Sequence, residues 1–413
     1  MKYVKSKISE IGRVVTGKTP STAKEEFYDG EYMFVTPSEL HGEAIVKVSE
    51  KTVTDAGLEA VKSNVIDGKS VLVGCIGWDM GNVAMTEDRC VTNQQINTIT
   101  RFKQCAIPEY VYYWLRTKKS YLKTIASVTR TPILSKSVFE EIEIPLPPRD
   151  IQIAISHLLS SLDSKIANNN RITESLQSTL ALLYGYWFLQ FDFPGSAGEP
   201  YRSSGGHVVW NDALKREIPA GWTAASIIDS PFCQLIKPGV DQFTQKRYLA
   251  TADVIGTSIG DGNLVEYETR GGRANMQPAI NSVWFARMKG SVKHLFLSED
   301  AASIIEETIL STGFCGLACE EYAFEYMASL VSSPHFETTK NYFSNGATQQ
   351  AVSNIDLQNI MIVIPDRETL AKYSRATKPI LQKMSSNVVE NRYLRELRDW
   401  LLPMLINGQA SPN

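Results

Sequence analysis

One stretch of this chain occurs twice. Residues 130–147 read RTPILSKSVFEEIEIPLP and residues 348–365 read TQQAVSNIDLQNIMIVIP, and they align without a gap at an offset of 218 residues. Each copy ends in an apolar strand pattern closed by proline, Pro147 or Pro365, and each runs on into a long helical pattern. Internal repetition limits the possible folds before any local preference is weighed. The expectation is a duplicated unit made of a globular domain followed by a helix.

The first helical pattern covers roughly residues 149–190. Ile151, Ile155, Leu158, Leu162, Lys165, Asn169, Ile172, Leu176, Thr179 and Leu183 alternate steps of four and three, the spacing that keeps one stripe against a partner helix. The second covers roughly residues 366–407. Its stripe is Leu370, Tyr373, Thr377, Ile380, Met384, Asn387, Asn391, Leu394, Arg398, Leu401 and Leu405. Both stripes turn polar near the middle, which costs stability but fixes register. Pro379 is expected to kink or delay the second helix. Between the repeats, residues 194–206 (PGSAGEPYRSSGG) have a linker composition, and a fresh domain opens at IPAGW, residues 218–222.

The chain therefore divides into a domain (1–147), a helix (148–190), a linker (191–217), a domain (218–365) and a helix (366–408). Residues 32–36, 70–76, 96–102, 282–288 and 359–364 read as short strands, and 108–123 and 321–332 as helices. The fold class is α+β: two similar domains with mixed, mostly antiparallel twisted sheets, separated by two long antiparallel coiled-coil helices in a pseudo-two-fold repeat.

Catalytic chemistry is hard to find. Residues 12–19, GRVVTGKT, match the phosphate-cradling loop pattern, but no buried parallel strand precedes them and Pro20 follows at once. An ATPase built on Gly17, Lys18 and Thr19 remains an alternative. Asp67 and Lys69 lack the second carboxylate a metal nuclease needs and read as a hairpin turn. No Asn/Asp-Pro-Pro-aromatic loop marks an amino-methyltransferase. His41, His157, His207, His294 and His335 are scattered. The six cysteines (75, 90, 105, 233, 315, 319) complete no zinc set and read as free thiols in a reducing cytoplasm. No run of 18 apolar residues or secretory leader is visible, so the expected location is cytoplasmic, without membrane contact.

Charge points to nucleic acid. The formal net charge is −3, yet residues 101–136 hold eight bases (Arg101, Lys103, Arg116, Lys118, Lys119, Lys123, Arg130, Lys136) against the single acid Glu109. Aromatics interleave there at Phe102, Tyr110, Tyr112, Tyr113, Trp114 and Tyr121. That combination suits a phosphate-facing surface, and equally a solvated helix face with its aromatics in the core. Residues 237–293 are a looser counterpart, with Lys237, Lys246, Arg247, Arg270, Arg273, Arg287, Lys289 and Lys293 against five acids. Polar candidates for base edges are Lys18, Thr19, Ser21, Thr36 and Ser38 in the first domain, and Gln349 and Gln350 in the second. Asn93, Gln94 and Gln95 suit a turn equally well.

These segments, in this order, resemble the specificity subunit of type I restriction–modification systems. IGRVVTGKTPST…YDGEYMFVTPSEL resembles that family's opening, and RTPILSKSVFEEIEIPLPPRDIQIAISHLLSSLDSKI its junction into the first helix. IPAGW resembles the restart, and TQQAVSNIDLQNIMIVIP with the final helix completes the second copy. The resemblance implies a non-catalytic subunit that reads a bipartite target in double-stranded DNA. It would bind two methyltransferase subunits and, with them, two restriction/translocase subunits. S-adenosylmethionine, ATP and magnesium would belong to those partners and none to this chain. A coiled-coil scaffold without DNA contact, or the specificity module of another restriction class, is the other reading.

Overall fold

In the computed structural model, residues 3–127, 131–346 and 349–410 are described. The chain forms two compact units, one of residues 1–167 with 394–413 and the other of residues 168–393. Both long helices, Arg149–Tyr184 and Arg367–Ile406, contribute to both units.

The first unit begins with strand β1 (Val4–Lys7), followed by β2 (Arg13–Thr16), β3 (Tyr28–Val35), β4 (Lys51–Val53), β5 (Ser70–Gly74), β6 (Val83–Thr86), β7 (Cys90–Thr92), β8 (Ile96–Thr100) and β9 (Glu143–Leu146). Opening and closing strands pair, β1 with β9. A four-stranded sheet runs β2-β8-β5-β6 and a three-stranded sheet β4-β3-β7. All these pairs are antiparallel except β3·β7. The strands of the larger sheet read as continuous apolar runs because both faces are covered: Val71 and Val73 lie in one core and Leu72 in another.

A linker hairpin, β10 (Val208–Asn211) with β11 (Arg216–Pro219), precedes the second unit's sheets. Then come β12 (Thr223–Ser226), β13 (Cys233–Leu235), β14 (Lys246–Leu249), a short pair β15 (Val254–Ile255) and β16 (Ser258–Ile259), β17 (Asn263–Val265) and β18 (Ala274–Met276). The series ends with β19 (Ser282–Ala286), β20 (His294–Leu297), β21 (Thr308–Ser311), β22 (Phe314–Cys319) and β23 (Met361–Ile364). The plan repeats. β12 pairs with β23, one sheet runs β13-β22-β19-β20, and the other runs β17-β14-β21-β18 with β14·β21 as its parallel pair. The 218-residue offset therefore reflects a duplicated topology, extended by the β15·β16 pair and by β18.

The expected helix at 108–123 divides into Pro108–Arg116 and Lys119–Ile125. Of its interleaved aromatics, Tyr110, Tyr112, Tyr113 and Trp114 are buried in the core, whereas Tyr121 is exposed. The second long helix starts at Arg367 and is neither delayed nor interrupted by Pro379. Pro379 and Arg375, whose carbonyl loses its partner there, both lie on the exposed face. Buried Tyr373, Thr377, Leu381 and Met384 hold the stripe on either side. Among the described residues no helix is long and apolar enough to cross a membrane.

In the stripe of the second helix Ile380, Leu394 and Leu401 are half-buried and Met384, Asn387 and Asn391 are buried, with Leu381 and Leu402 taking the buried positions next to Ile380 and Leu401. In the first helix Ile155 and Asn169 are buried, and Leu158, Leu162, Leu176 and Leu183 are half-buried. Ile172, however, is 42% exposed while Thr173 is 4% exposed. Leu159, Ile166 and Leu180 likewise occupy the buried positions next to Leu158, Lys165 and Thr179. The expected stripe was one residue early at alternate positions.

Within the second unit the two helices run antiparallel. Asn169 Nδ2 donates to Asn391 Oδ1 (3.0 Å) and Asn387 Nδ2 to Thr173 Oγ1 (3.1 Å). Asn169 and Asn387 are the same position of the repeat, and Asn387 Nδ2 also donates to the Asn169 carbonyl. Within the first unit, Arg398 Nη1 on the second helix donates to Asp163 Oδ1 on the first (2.7 Å), and Tyr113 hydroxyl donates to Asp163 Oδ2 (2.7 Å). The Asp163 and Arg398 side chains are 11% and 10% exposed. Replacing Arg398 by Met is expected to destabilise the first unit by about 1.5–3 kcal/mol, the cost of removing one charged hydrogen-bond partner from a buried carboxylate that keeps Tyr113 and Arg116. Adding Asp163→Leu should recover part of it, because both charges of the pair are then gone and Arg116, 26% exposed, can be hydrated; a double variant no more stable than the single in denaturant melts contradicts this.

Asp366 caps the second helix. Its carboxylate accepts from Thr369 N (2.8 Å) and from Trp222 Nε1 (2.9 Å). Burial alone would raise its pKa, but the Thr369 and Trp222 hydrogen bonds bring it below the ordinary 3.8. A depressed folded-state value makes the stabilisation complete above 3.8 and removes it as pH falls through the lower value. Asp366→Asn should flatten that part of the acid limb of a stability–pH profile; an unchanged limb excludes the contribution.

Candidate nucleic-acid interface

Antiparallel registers bring one set of loops to one end of each larger sheet. In the first unit, Thr16 lies opposite Asn97, Gly74 opposite Ile96, and Val73 opposite Val83. Residues 17–21, 75–82 and 93–95 therefore share an end. Residues 36–41 join them, since Asn93 N donates to Val35 O (3.0 Å).

Gly17 explains the phosphate-loop look-alike. A Cβ there would lie 2.0 Å from Asn93 O and 2.3 Å from Thr92 Oγ1, so glycine is required by the passage of residues 93–95. No helix follows: residues 17–21 are irregular, whereas phosphate cradling needs a helix N-terminus. Lys18 and Ser21 are exposed, and Thr19 Oγ1 donates to Gln94 Oε1 (2.8 Å). Thr36 and Ser38 are tied to Glu39, with Thr36 Oγ1 and N donating to Oε2 at 2.7 and 2.8 Å and Ser38 Oγ at 3.2 Å. Burial would raise the Glu39 carboxyl, but the Thr36 hydroxyl and backbone N–H hold it below its ordinary value. These two hydroxyls shape the loop.

Lys119 reaches the same end. Its Nζ donates to Asn82 Oδ1 (2.7 Å), Asn82 Nδ2 contacts His41, and His41 Nε2 meets Asp79 Oδ1 at 2.5 Å. Lys118 lies over the Trp114 ring. Arg101 does not join them. It follows β8 at the opposite end of the sheet and is exposed there, and Arg116 turns inward to Tyr112 and Asp163. The basic run thus separates by three-dimensional position. Arg130 lies outside the described residues.

The second unit repeats the loop end. Arg287 N donates to Gly313 O as Cys75 N does to Gln95 O; Val352 N donates to Arg287 O as Leu134 N does to Cys75 O; and Lys289 N donates to Gln350 O as Gly77 N does to Pro132 O. The cap recurs too, with Ala250 N donating to Asp253 Oδ2 (2.8 Å). Exposed at this end are Lys237, Arg273, Gln349 and Gln350. Lys289 Nζ donates to Gln350 Oε1 (2.8 Å), and Lys293 Nζ to Thr251 O. Burial lowers the pKa of Lys293 and Lys246. Lys246, at the other end of β14, donates to Gln277 (2.9 Å), Arg247 to Asp261 O, and Arg270 lies 3.9 Å over the Tyr267 ring. From the sequence, Lys289 appears only as one member of the second basic run and Gln94 only as a residue that suits a turn equally well. The 218-residue offset does not lead to Lys289, which lies 212 residues after its counterpart Gly77, so only the shared backbone hydrogen bonds reveal it.

Residues 1–178 match the family model described as the type I restriction modification DNA specificity domain. Over 98% of its length the chain is 26% identical to the type I restriction enzyme MjaIX specificity subunit of Methanocaldococcus jannaschii, covering 92% of that protein. It is 32% identical over 40% of its length to the HindI specificity subunit of Haemophilus influenzae, covering 38% of that protein. The crystal structure of a type-I restriction-modification system S subunit from M. genitalium shares the fold at a TM-score of 0.53 and 15% identity, covering 98% of this chain and 96% of that one. Two copies of one domain plan, two long helices and these similarities agree: residues 1–178 match a type I restriction modification DNA specificity domain, and the chain as a whole is similar to the specificity subunits of type I systems.

Proposed function

We propose that the chain reads a bipartite double-stranded DNA target, one half with each loop end, and catalyses nothing itself. The duplicated loop end carries this reading: the same backbone hydrogen bonds present different side chains, Pro132 in one copy and Gln350 in the other. Lys18, Thr19 and Gln94 would face the first half-site; Lys237, Arg273, Lys289, Gln349 and Gln350 would face the second. Residues 1–147 and 218–365 act as the two readers, 191–217 as the linker, and 148–190 and 366–408 as the spacer. Helices of 36 and 40 residues are about 54–60 Å long at 1.5 Å per residue, enough to set half-sites a fixed number of base pairs apart. Two methyltransferase subunits, and with them two restriction/translocase subunits, would dock on this chain in the cytoplasm. S-adenosylmethionine, ATP and magnesium would serve their chemistry.

Mapping methylated adenines in a genome that expresses this chain with its partners should reveal one split motif. Lys18→Ala with Gln94→Ala should relax one half of that motif and leave the other intact. Relaxation of both halves, or of neither, overturns the assignment. Lys18→Ala alone should reduce the slope of log affinity against log salt by about 1, as expected for loss of one phosphate contact. An unchanged slope removes Lys18 from the interface.

A further inference from the structure

In the second unit, the loop between β19 and β20 (residues 287–293) is built around a buried cation. Lys340, on helix Pro334–Phe343, is 0% exposed. Its ammonium donates to Ala286 O (3.1 Å), Ser291 O (3.0 Å) and Glu337 Oε1 (3.0 Å), so its three N–H groups are all used. Ala286 ends β19 and Ser291 lies on the return toward β20, so one side chain holds the two limbs of the loop together. Glu337 is fixed in turn by His294 Nε2 (2.9 Å), and Gln177 Nε2 of the first long helix donates to His294 Nδ1 (2.9 Å). The neighbouring Asn341 Oδ1 accepts from Gly290 N (2.9 Å), where the backbone takes a φ of 72°. Burial would raise the Glu337 carboxyl, but the hydrogen bonds from His294 and Lys340 bring it below its ordinary value.

A buried ion pair can often be replaced by apolar side chains without loss of stability, so stability alone does not account for this one. What it does fix is the path of the loop that presents Lys289, beside Gln350. The first unit solves the same problem at its surface, through Lys119, Asn82, His41 and Asp79. Resting on the reading proposed above, we infer that Lys340 is a positioning residue for recognition of the second half-site, holding the 287–293 loop in its reading shape from beneath.

The test uses the chain assembled with its methyltransferase subunits, and oligonucleotides carrying single-base changes in either half of the mapped motif. Lys340→Met should reduce discrimination in the second half by about tenfold, the scale of one lost base-pair preference, and leave the first half within about twofold. Lys340→Arg, which keeps the charge, should retain more discrimination than Met, and Asn341→Ala should give a smaller loss in the same half. Uniform loss in both halves, or none, overturns the inference. Should Lys340→Met fail to assemble, Asn341→Ala decides: unchanged second-half discrimination overturns it. Lys289→Ala with Gln350→Ala separates the two claims. If this pair leaves both halves unaltered, the interface reading fails; if it relaxes the second half while Lys340→Met does not, only the positioning role fails.

Discussion

The antiparallel pairing of the two long helices is the constraint on which each unit's core depends. In the second unit, Leu180, Tyr184, Trp187 and Phe188 of the first helix and its extension share a core with Leu370, Tyr373, Leu381 and Met384 of the second. In the first unit, Ile155 and Leu159 share a core with Leu402, Leu405 and Ile406. Neither core is complete with one helix alone. Slippage by one residue would turn apolar side chains to water in both, and the Asn169·Asn391 and Asn387·Thr173 bonds oppose it. The first unit is also closed by residues near the chain's other end, so its folding waits on contacts very distant in sequence, which are slow to form.

Equivalent positions carry different chemistry in the two units. Asp163 and Arg398 form a buried ion pair in the first unit, whereas the positions 218 residues after and before them, Leu381 and Leu180, lie in an apolar core in the second. Tyr110 and Tyr326, by contrast, keep one role, each donating to a backbone carbonyl of the closing strand, Pro145 or Val363. Backbone demands have kept the same solution in both units, while side-chain packing has found two.

This difference explains what was legible in the sequence. Long-range repetition survived in residues 131–147 and 349–365, where each copy must supply the same strand and the same carbonyls, so architecture could be read. In the second helix the buried polar positions Asn387 and Asn391 could be read, while Leu381 and Leu402 are buried beside the expected Ile380 and Leu401. The first helix misled at Ile172 because an exposed β-branched residue lies beside the small polar Thr173, which takes the buried position. The glycine at 17 satisfied a phosphate-loop pattern for a local steric reason. Lys340 gave no signal, since a lysine in an amphipathic helix resembles any solvated one until Ala286, Ser291 and Glu337 surround it.

On the proposed reading, two unlike half-sites met by one duplicated plan would require a loop backbone that stays the same while its side chains change. The paired hydrogen bonds at positions 77 and 132, and again at 289 and 350, provide the fixed part. Because those bonds use only N–H and C=O groups, Thr131 and Pro132 can be replaced by Gln349 and Gln350 without altering the loop's attachment. The sheets need no change when the surface of the loops does. Rigidity beneath and variability above are then two consequences of one choice, anchoring each loop through its main chain.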